Sequence, residues 1–345
     1  MQIGDIERIR LGTFPTPLQE LRNLATELGG PRLFIKRDDM TGLGLGGNKL
    51  RKLEYAMAEA QTLGATVILT VGGPQSNHVR LTTAAANKLG LPTILVLRGE
   101  EPPAVSGNLL IDRILGAREI HFVGSSGYPS KAEVDRIADE KVAEIVDQLS
   151  AQGETPYVIP NGCRALHGAL GYSGCVFEII GQLHELGLTA STIVTAVGTS
   201  STYTGLALGS HLYAQGEIEA LGVSVAVSTE DLVDRIDGQL QEAIEFLKLD
   251  RSVPRAAVRV LDDYVGPGYG LPTEAMRDAV SRVARSEGIV LDPVYTGKAM
   301  SGLIDLIERG TYRADDVVVF LHTGGVPGLF ADNQIAAFVE ESGTT

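Results

Sequence analysis

Cysteine is scarce in this chain, which has only Cys163 and Cys175 among its 345 residues. Neither lies in the spacing of a metal-binding motif, and two thiols are too few to form a disulfide framework for a chain of this size. We therefore expect no metal site, and we expect both cysteines to be reduced and structural.

Basic residues and long apolar runs are also in short supply. Lysine and arginine together number 29 against 43 acidic residues, which gives a net charge of −14. That balance argues against a nucleic acid or an anionic membrane as a partner. No stretch approaches the ~18 apolar residues of a membrane span, and the first residues carry no apolar signal core. These absences predict a cytoplasmic protein with no membrane partner.

Hydrophobic residues make up 44% of the chain, enough for a large core, and the length is typical of about two domains. Short apolar strands alternate with helices, which predicts parallel sheets covered on both faces. The predicted strands are 33–37, 66–71, 93–97, 119–123, 157–159, 193–197, 221–227 and 316–321. We predict an α/β fold of two open, mostly parallel, three-layer domains. Residues 50–162 would form a small domain inserted into a large one, 1–49 and 163–345, with ligands at the carboxyl ends of strands.

A lysine stands at the start of a predicted helix, directly behind a glycine-rich loop at residues 41–47. Asn48 is suited to be the N-cap of this helix, which Gly64 ends. The helix dipole and the free N–H groups of the first turn disfavour a positive charge there, and so lower the pKa of Lys49. Such an amine can act as a nucleophile. The alternative is an ordinary solvated lysine.

The glycines of this loop also match the dinucleotide-binding pattern, as Gly42, Gly44 and Gly47. That pattern needs an acidic residue after the next strand to bind a ribose, ~20 residues on. Here the next strand ends in a Gly-Gly-Pro turn without an acid, and a lysine opens the helix. We therefore reject a dinucleotide site.

A polar turn at residues 198–202 follows a buried strand and precedes a helix. Its backbone N–H groups and hydroxyls suit one phosphate group, and it lacks the lysine and spacing of a nucleoside triphosphate loop. An activated lysine, a cup for a single phosphate and no metal site together suggest pyridoxal phosphate as the cofactor.

Six blocks of sequence carry a resemblance to a known family. They are residues 35–39, 46–55, 75–78, 268–270, 291–295 and 322–325. Together they resemble the D-cysteine desulfhydrase and 1-aminocyclopropane-1-carboxylate deaminase family. The resemblance runs from residue 16 to about 330 and implies a lyase of fold type II, the tryptophan-synthase-β-like fold of pyridoxal-phosphate enzymes. It also implies a small amino-acid substrate and a homodimer.

Carried over by position, the resemblance makes Lys49 the residue that binds the cofactor as a Schiff base. Asn77 would hydrogen-bond the ring oxygen of the cofactor, and Lys52 would reach its phosphate. The phosphate cup would consist of Gly198, Thr199, Ser200, Ser201 and Thr202. Family members commonly have another glycine in this turn, so the two serines depart from the pattern.

The resemblance also assigns the substrate side of the site. The backbone N–H groups of Ser76, Asn77 and His78, at a helix start, would bind the substrate carboxylate. Tyr269 and Tyr295 match two active-site tyrosines, whose phenols can stack, orient the substrate amine or relay protons. The expected catalytic residues are Lys49, Ser76, Tyr269 and Tyr295.

Two threonines separate the branches of the family. Thr296 stands where the residue facing the pyridine nitrogen is expected, and the cyclopropane-opening deaminases resemble one another in having a glutamate there. A hydroxyl makes a weaker, neutral hydrogen bond than a carboxylate. Opening a carbon ring needs the stronger electron sink, whereas loss of a thiolate does not. Thr323 also matches the desulfhydrases, where the deaminases have leucine.

One segment departs from the desulfhydrase pattern, and it contains Arg164. A guanidinium there could bind an anionic substrate side chain such as that of cysteate, or it could be a surface arginine at a strand end. We expect α,β-elimination from a small amino acid, with D-cysteine as the first choice. The alternatives are an L-cysteate sulfo-lyase, a 1-aminocyclopropane-1-carboxylate deaminase, a β-replacement enzyme, and a catalytically silent cofactor- or nucleotide-binding protein.

Overall fold

The computed structural model describes residues 3–124, 130–250 and 252–339. The strands in this part of the chain are β1 (Leu18–Glu20), β2 (Arg32–Arg37), β3 (Val67–Gly72), β4 (Thr93–Arg98), β5 (Glu119–Val123), β6 (Pro156–Ile159), β7 (Thr192–Val197), β8 (Glu219–Ser224), β9 (Arg259–Leu261) and β10 (Val317–His322). The helices are α1 (Arg22–Leu28), α2 (Lys49–Thr62), α3 (Asn77–Lys88), α4 (Gly107–Ile114), α5 (Lys131–Ala151), α6 (Ala165–Glu185), α7 (Ser201–Ala214), α8 (Thr229–Leu247), α9 (Glu274–Glu287), α10 (Thr296–Glu308) and α11 (Asp332–Val339).

The strands form two sheets. The larger has the order β1-β2-β10-β7-β8-β9 and is parallel except for β1, which pairs antiparallel with β2. The smaller has the order β5-β4-β3-β6 and is parallel throughout. All four strands of the smaller sheet lie within residues 67–159. The exact boundaries of the inserted domain stay a prediction.

Both sheets carry helices on their two faces. Along β10, Val317, Val319 and Leu321 pack with α6, α7 and α8, whereas Val318 and Phe320 pack with α1, α9 and α10. The alternation follows from the two-residue period of a strand. In the smaller sheet, the odd-numbered residues of β3 face α5 and the even-numbered Ile68 faces α2 and α3. The predicted pair of three-layer, mostly parallel α/β units is confirmed.

The predicted strand 221–227 is wrong at its second end, since β8 stops at Ser224. The Ser224 hydroxyl accepts hydrogen bonds from the N–H groups of Ala226 and Val227 and donates to the Val227 carbonyl at 2.6 Å. This side chain therefore closes a turn where the apolar run continues in the sequence.

Candidate active site

Loops at the carboxyl ends of β2 and β10 pack against each other beside the start of α2. The Asn48 N–H donates to the Thr323 carbonyl oxygen at 2.9 Å. A Cβ at Gly324 would lie 2.8 Å from the Cα of Gly47, which is closer than real side chains approach. The two glycines thus permit the backbone contact that sets Lys49 at the end of the large sheet.

Lys49 begins α2, and its Nζ lies 3.1 Å from Asn48 Oδ1. Burial lowers the pKa of Lys49 to about 8, while Cys163 and Asp292 act in the opposite direction. The direction agrees with the prediction, but burial is the main cause. Asn48 occupies the predicted N-cap position of α2, but the capping bond expected of its side chain is absent. Its Nδ2 donates instead to Thr202 Oγ1 at 3.1 Å.

A second amine, Lys52, lies one helical turn further along and is fully buried. Its Nζ donates to Ser201 Oγ at 2.8 Å. Burial, together with repulsion from Lys49, lowers the pKa of Lys52 well below its usual value. Ser201 is the first residue of α7, and the first N–H groups of a helix have no acceptor within it. An amine and a helix start therefore face each other, and both attract a phosphate.

The turn at residues 198–202, which is the predicted phosphate cup, contains a strained residue. Ser200 has φ +68°, in the left-handed region that favours glycine. The Ser200 hydroxyl lies 2.6 Å from the Thr199 carbonyl oxygen and 3.0 Å from Gln239 Oε1, the two acceptors to which it can donate. Across the cup, a Cβ at Gly162 would lie 2.5 Å from Thr199 Oγ1. The loop after β6 therefore closes directly on the cup.

The start of α3 brings residues 76–78 to the same region. Ser76 is the N-cap, and its Oγ accepts the N–H of Val79 at 3.3 Å. The His78 ring points into the small unit, where Nε2 lies 3.0 Å from Thr70 Oγ1. Burial, reinforced by Lys49 and Lys52, lowers the pKa of His78 to about 3. His78 is therefore neutral, and only its backbone N–H suits the predicted role.

The two predicted tyrosines lie together. The Tyr269 and Tyr295 hydroxyls are hydrogen-bonded to each other, and their rings meet edge to face with centroids 6.0 Å apart. Burial and the neighbouring phenol raise the pKa of Tyr295 well above its usual range. Gly198 would place a Cβ 3.6 Å from the Tyr295 ring. The tyrosine pair therefore borders the cup.

Thr296 follows Tyr295 and opens α10 with its hydroxyl fully engaged. It donates to Asp292 Oδ1 at 2.7 Å and accepts the Asp292 N–H at 2.8 Å. The same carboxylate also accepts the N–H groups of Val294, Tyr295 and Thr296. The hydroxyl proton of Thr296 is thus held by a carboxylate that itself caps the helix.

Arg164 lies apart from these groups. Its guanidinium donates to Glu59 Oε1 at 2.8 Å and stacks over the Tyr157 ring, while half of the side chain is exposed. Glu59 also accepts the Tyr157 hydroxyl and pairs with His167. The substrate role of Arg164 stays a prediction.

One residue of the site was missed in the sequence. Both cysteines are free and buried, in agreement with the prediction, but Cys163 is close enough to Lys49 and Lys52 to interact with their charges. It has φ +71°, and its Sγ lies 3.6 Å from His167 Nδ1. Burial raises the pKa of Cys163 to about 11. Its place at the carboxyl end of β6 is the signal that could have identified it.

Comparison with known proteins decides the family. The model of the pyridoxal-phosphate-dependent enzymes matches residues 9–324. The chain belongs to this family. D-cysteine desulfhydrase of Klebsiella pneumoniae is 41% identical over 331 residues, 94% of this chain and 95% of that protein. The enzyme of the same name from Serratia proteamaculans is 38% identical over 336 residues, 96% and 97% of the two chains.

Two solved structures are also similar. The crystal structure of a 1-aminocyclopropane-1-carboxylate deaminase homologue matches with a TM-score of 0.83, 39% identity and coverage of 95% of this chain and 94% of that one. A fungal L-serine ammonia-lyase from Rhizomucor miehei matches in fold alone, with a TM-score of 0.66 and 19% identity over 97% and 99%. The predicted fold type II is confirmed. The protein is a pyridoxal-phosphate-dependent lyase of the desulfhydrase and deaminase family.

The residues at the site fit this cofactor. Lys49 has the lowered pKa of a nucleophilic amine, Lys52 and the start of α7 suit a phosphate, and the Asn77 side chain accepts two hydrogen bonds at its oxygen, which leaves its nitrogen to donate. In the described ranges no group of three or more His, Cys, Asp or Glu is arranged to hold a metal ion. The helices of the same ranges include none that could span a membrane.

Proposed function

We propose that this enzyme catalyses α,β-elimination on D-cysteine, giving pyruvate, ammonia and sulfide. The observation that supports this choice is the hydrogen bond that the Thr296 hydroxyl donates to the Asp292 carboxylate. We call these two residues the closed pair. If Thr296 faces the pyridine nitrogen, it places a neutral hydroxyl there and no carboxylate whose charge would keep that nitrogen protonated. A weaker electron sink suits departure of a thiolate better than cleavage of a carbon ring.

The proposed roles follow from the positions of the groups. When bound, pyridoxal phosphate withdraws electrons from the α-carbon of the substrate. Lys49 would remove the α-proton of the substrate, and its pKa of about 8 lets a fraction of the amine exist as the free base near neutral pH. The N–H groups at the start of α3 would bind the substrate carboxylate. The phenols of Tyr269 and Tyr295 would then border the reacting carbons.

The chemistry balances without a further reactant apart from water. The α-proton and the β-carbon to sulfur bond are lost, sulfide leaves, and hydrolysis of the remaining enamine gives pyruvate and ammonia. An L-cysteate sulfo-lyase would lose sulfite by the same steps. Arg164, the residue suited to a sulfonate, is engaged by Glu59, and this favours the uncharged thiol side chain.

The first experiment tests the cofactor and its lysine. The purified protein should show an absorbance band at ~410–430 nm that borohydride removes, as expected of a lysine-bound cofactor. Lys49→Ala should lack this band and lose at least ~10³-fold in activity, because it removes both the attachment point and the base. A variant that keeps the band would exclude Lys49 as the attachment point.

The second experiment tests the substrate. The enzyme is incubated with D-cysteine, L-cysteine, L-cysteate and 1-aminocyclopropane-1-carboxylate, and the 2-oxo acid and sulfide are measured. We expect pyruvate and sulfide in equal amounts from D-cysteine. Release of 2-oxobutyrate from the cyclopropane substrate alone would overturn the proposal.

Arg164→Ala separates the thiol and sulfonate alternatives. If Arg164 binds a sulfonate, the variant loses activity on L-cysteate and keeps its activity on cysteine. We expect equal and small changes on both. Arg118→Ala is a matched control, since Arg118 is also a part-exposed arginine that pairs with glutamates at the surface, Glu154 and more distantly Glu119.

A further inference from the structure

Arg80 lies on α3 one turn beyond Asn77, and it is fully buried. Its guanidinium donates only to neutral oxygens: Nε to Asn108 Oδ1 at 2.7 Å, Nη1 to the Gly44 carbonyl, and Nη2 to the Gly46 carbonyl at 3.1 Å and to Asn77 Oδ1 at 3.3 Å. A buried cation is costly without an ionised partner. Within the described ranges, no carboxylate forms an ion pair with it.

The acid whose charge would favour the Arg80 cation is Asp112. Burial raises the pKa of Asp112 to about 8 and lowers that of Arg80 to about 10. Burial thus disfavours the charge on both groups, and Arg80 makes its hydrogen bonds to neutral oxygens instead of to Asp112. The position of this cation is therefore defined by the groups that it contacts.

Arginine has donors and no acceptor, and this fixes the orientation of two amides in turn. The Asn108 atom that faces Arg80 Nε must be the oxygen, so the Asn108 nitrogen faces Asn77, at 3.1 Å. The Asn77 atom there must then be its oxygen, which also accepts from Arg80. As a result the nitrogen of Asn77 is the atom left to donate to a ligand.

Arg80 also holds the loop that leads to Lys49. Two carbonyls of the glycine-rich loop, those of Gly44 and Gly46, accept its N–H groups. One side chain therefore joins the position of Lys49 in the large unit to the orientation of Asn77 in the small one.

We propose that Arg80 and Asn108 are positioning residues that direct the Asn77 nitrogen at the ring oxygen of the cofactor. Arg80 also fixes the position of this donor relative to the loop before Lys49. The inference rests on the proposed function, in which Asn77 binds that oxygen. A donor there stabilises the anionic oxygen and so favours loss of the proton that the oxygen shares with the lysine-bound nitrogen.

Asn108→Asp tests the chain of amides with almost no change of shape. The new carboxylate can still accept from Arg80, but it cannot donate to Asn77, so the Asn77 amide should turn its nitrogen away from the cofactor. We expect the pH midpoint of the ~420 nm band to rise by about one unit and the cofactor to bind about ten-fold more weakly. Asn87→Asp, the same change at an exposed position of α3, should shift neither.

A double-mutant cycle separates positioning from a general effect of structure or charge. If Asn108→Asp acts through Asn77, it should shift the midpoint by less than ~0.3 units in an Asn77→Ala background. The same cycle with Arg80→Lys, which keeps the positive charge but loses the planar donors, should behave in the same way and covers the case in which Asn108→Asp does not fold.

Two results would overturn the inference in different ways. Equal shifts with and without Asn77 would show that Asn108 and Arg80 act by another route, while the proposed function would stand. A wild-type protein without the band, and unchanged by Lys49→Ala, would remove the proposed function and this inference together.

Discussion

Lys49 and Lys52 lie one turn apart on α2, and their side chains differ in how deeply they are buried. Lys49 is partly buried beside Asn48, whereas Lys52 is fully enclosed against Ser201. Burial lowers the pKa of both amines, and the charge of Lys49 lowers that of Lys52 further. A phosphate at Ser201 would restore the charge of Lys52 and leave Lys49 to react.

The lowered pKa of Lys49 predicts how fast the cofactor-free protein takes up pyridoxal phosphate. The folded value, about 8, lies below the usual 10.5, so the reactive free amine is populated at lower pH. We expect the rate of band formation to rise with pH up to a midpoint near 8 and then level off. A rate that still rises steeply above pH 9.5 would contradict the assignment. Stopped-flow absorbance measures the rate of band formation, and Lys88→Ala, which removes an exposed lysine, is the control.

The closed pair of Thr296 and Asp292 predicts a stability effect. Thr296→Val keeps the shape of the side chain but removes one of the hydrogen bonds to a buried carboxylate. We expect the free energy of unfolding to fall by about 1.5–3 kcal/mol, measured by urea denaturation without cofactor. Thr296→Ser, which keeps the hydroxyl, should recover most of the loss; an unchanged stability in the valine variant would mean that the pair is not formed.

At the scale of elements, the site is built where helices begin. The starts of α2, α3, α7 and α10 supply Lys49, Asn77, the phosphate cup and Thr296. Free N–H groups are available only at such ends, so a binding site for phosphate and carboxylate follows from the way parallel strands alternate with helices. The glycine-rich loop then decides whether the first of these helices is correctly placed.

Two glycine substitutions test the role of that loop. Gly46 has φ +67°, and an added Cβ would lie 1.9 Å from the Asp39 carbonyl oxygen. Gly64, at the end of α2, has φ +69° with open space around it. Gly64→Ala should lower the free energy of unfolding by about 1 kcal/mol, from backbone strain alone. Gly46→Ala adds a steric clash to the same strain, so it should lower the free energy of unfolding by at least about 3 kcal/mol and reduce the cofactor band. Similar melting temperatures for the two variants would contradict this packing.

At the scale of the whole molecule, the cofactor site joins the two sheets. Lys52 and the cup lie at the larger sheet, and Asn77 and Cys163 follow strands of the smaller one. A ligand that contacts both units stabilises the folded chain as a whole, because it binds only the assembled form.

Removal of the cofactor should therefore lower the melting temperature. At a cofactor concentration 100 times its dissociation constant, the stabilisation is about 2.7 kcal/mol, which corresponds to about 4 °C for a chain of this size. Scanning fluorimetry of the loaded and stripped protein measures the difference. The Lys49→Ala variant should show a much smaller difference in melting temperature. An equal difference in the wild type and the variant would mean that the stabilisation does not depend on the lysine.

The fold could be predicted, and candidate ligands of the site could be proposed, because their signals are local. Strands such as β3, β7 and β10 are buried on both faces, so they appear as continuous apolar runs. The lysine behind a glycine loop and the polar turn at 198–202 are likewise short stretches with their own chemistry. The short strands β1 and β9, of three residues each, gave too little pattern to be recognised.

The sequence by itself determined the α/β architecture and the positions of Lys49 and of the polar turn at 198–202 at the starts of helices, because each depends on neighbours along the chain. Only the tertiary structure decided that the Asn48 side chain donates to Thr202 instead of to its own helix, that Cys163 lies within range of the charges of Lys49 and Lys52, and that Asn108 donates to Asn77 Oδ1. These contacts join residues that are far apart in sequence or on different elements. Side-chain hydrogen bonds and burial depend on distances of a few ångströms, which are defined only once the two sheets have packed together.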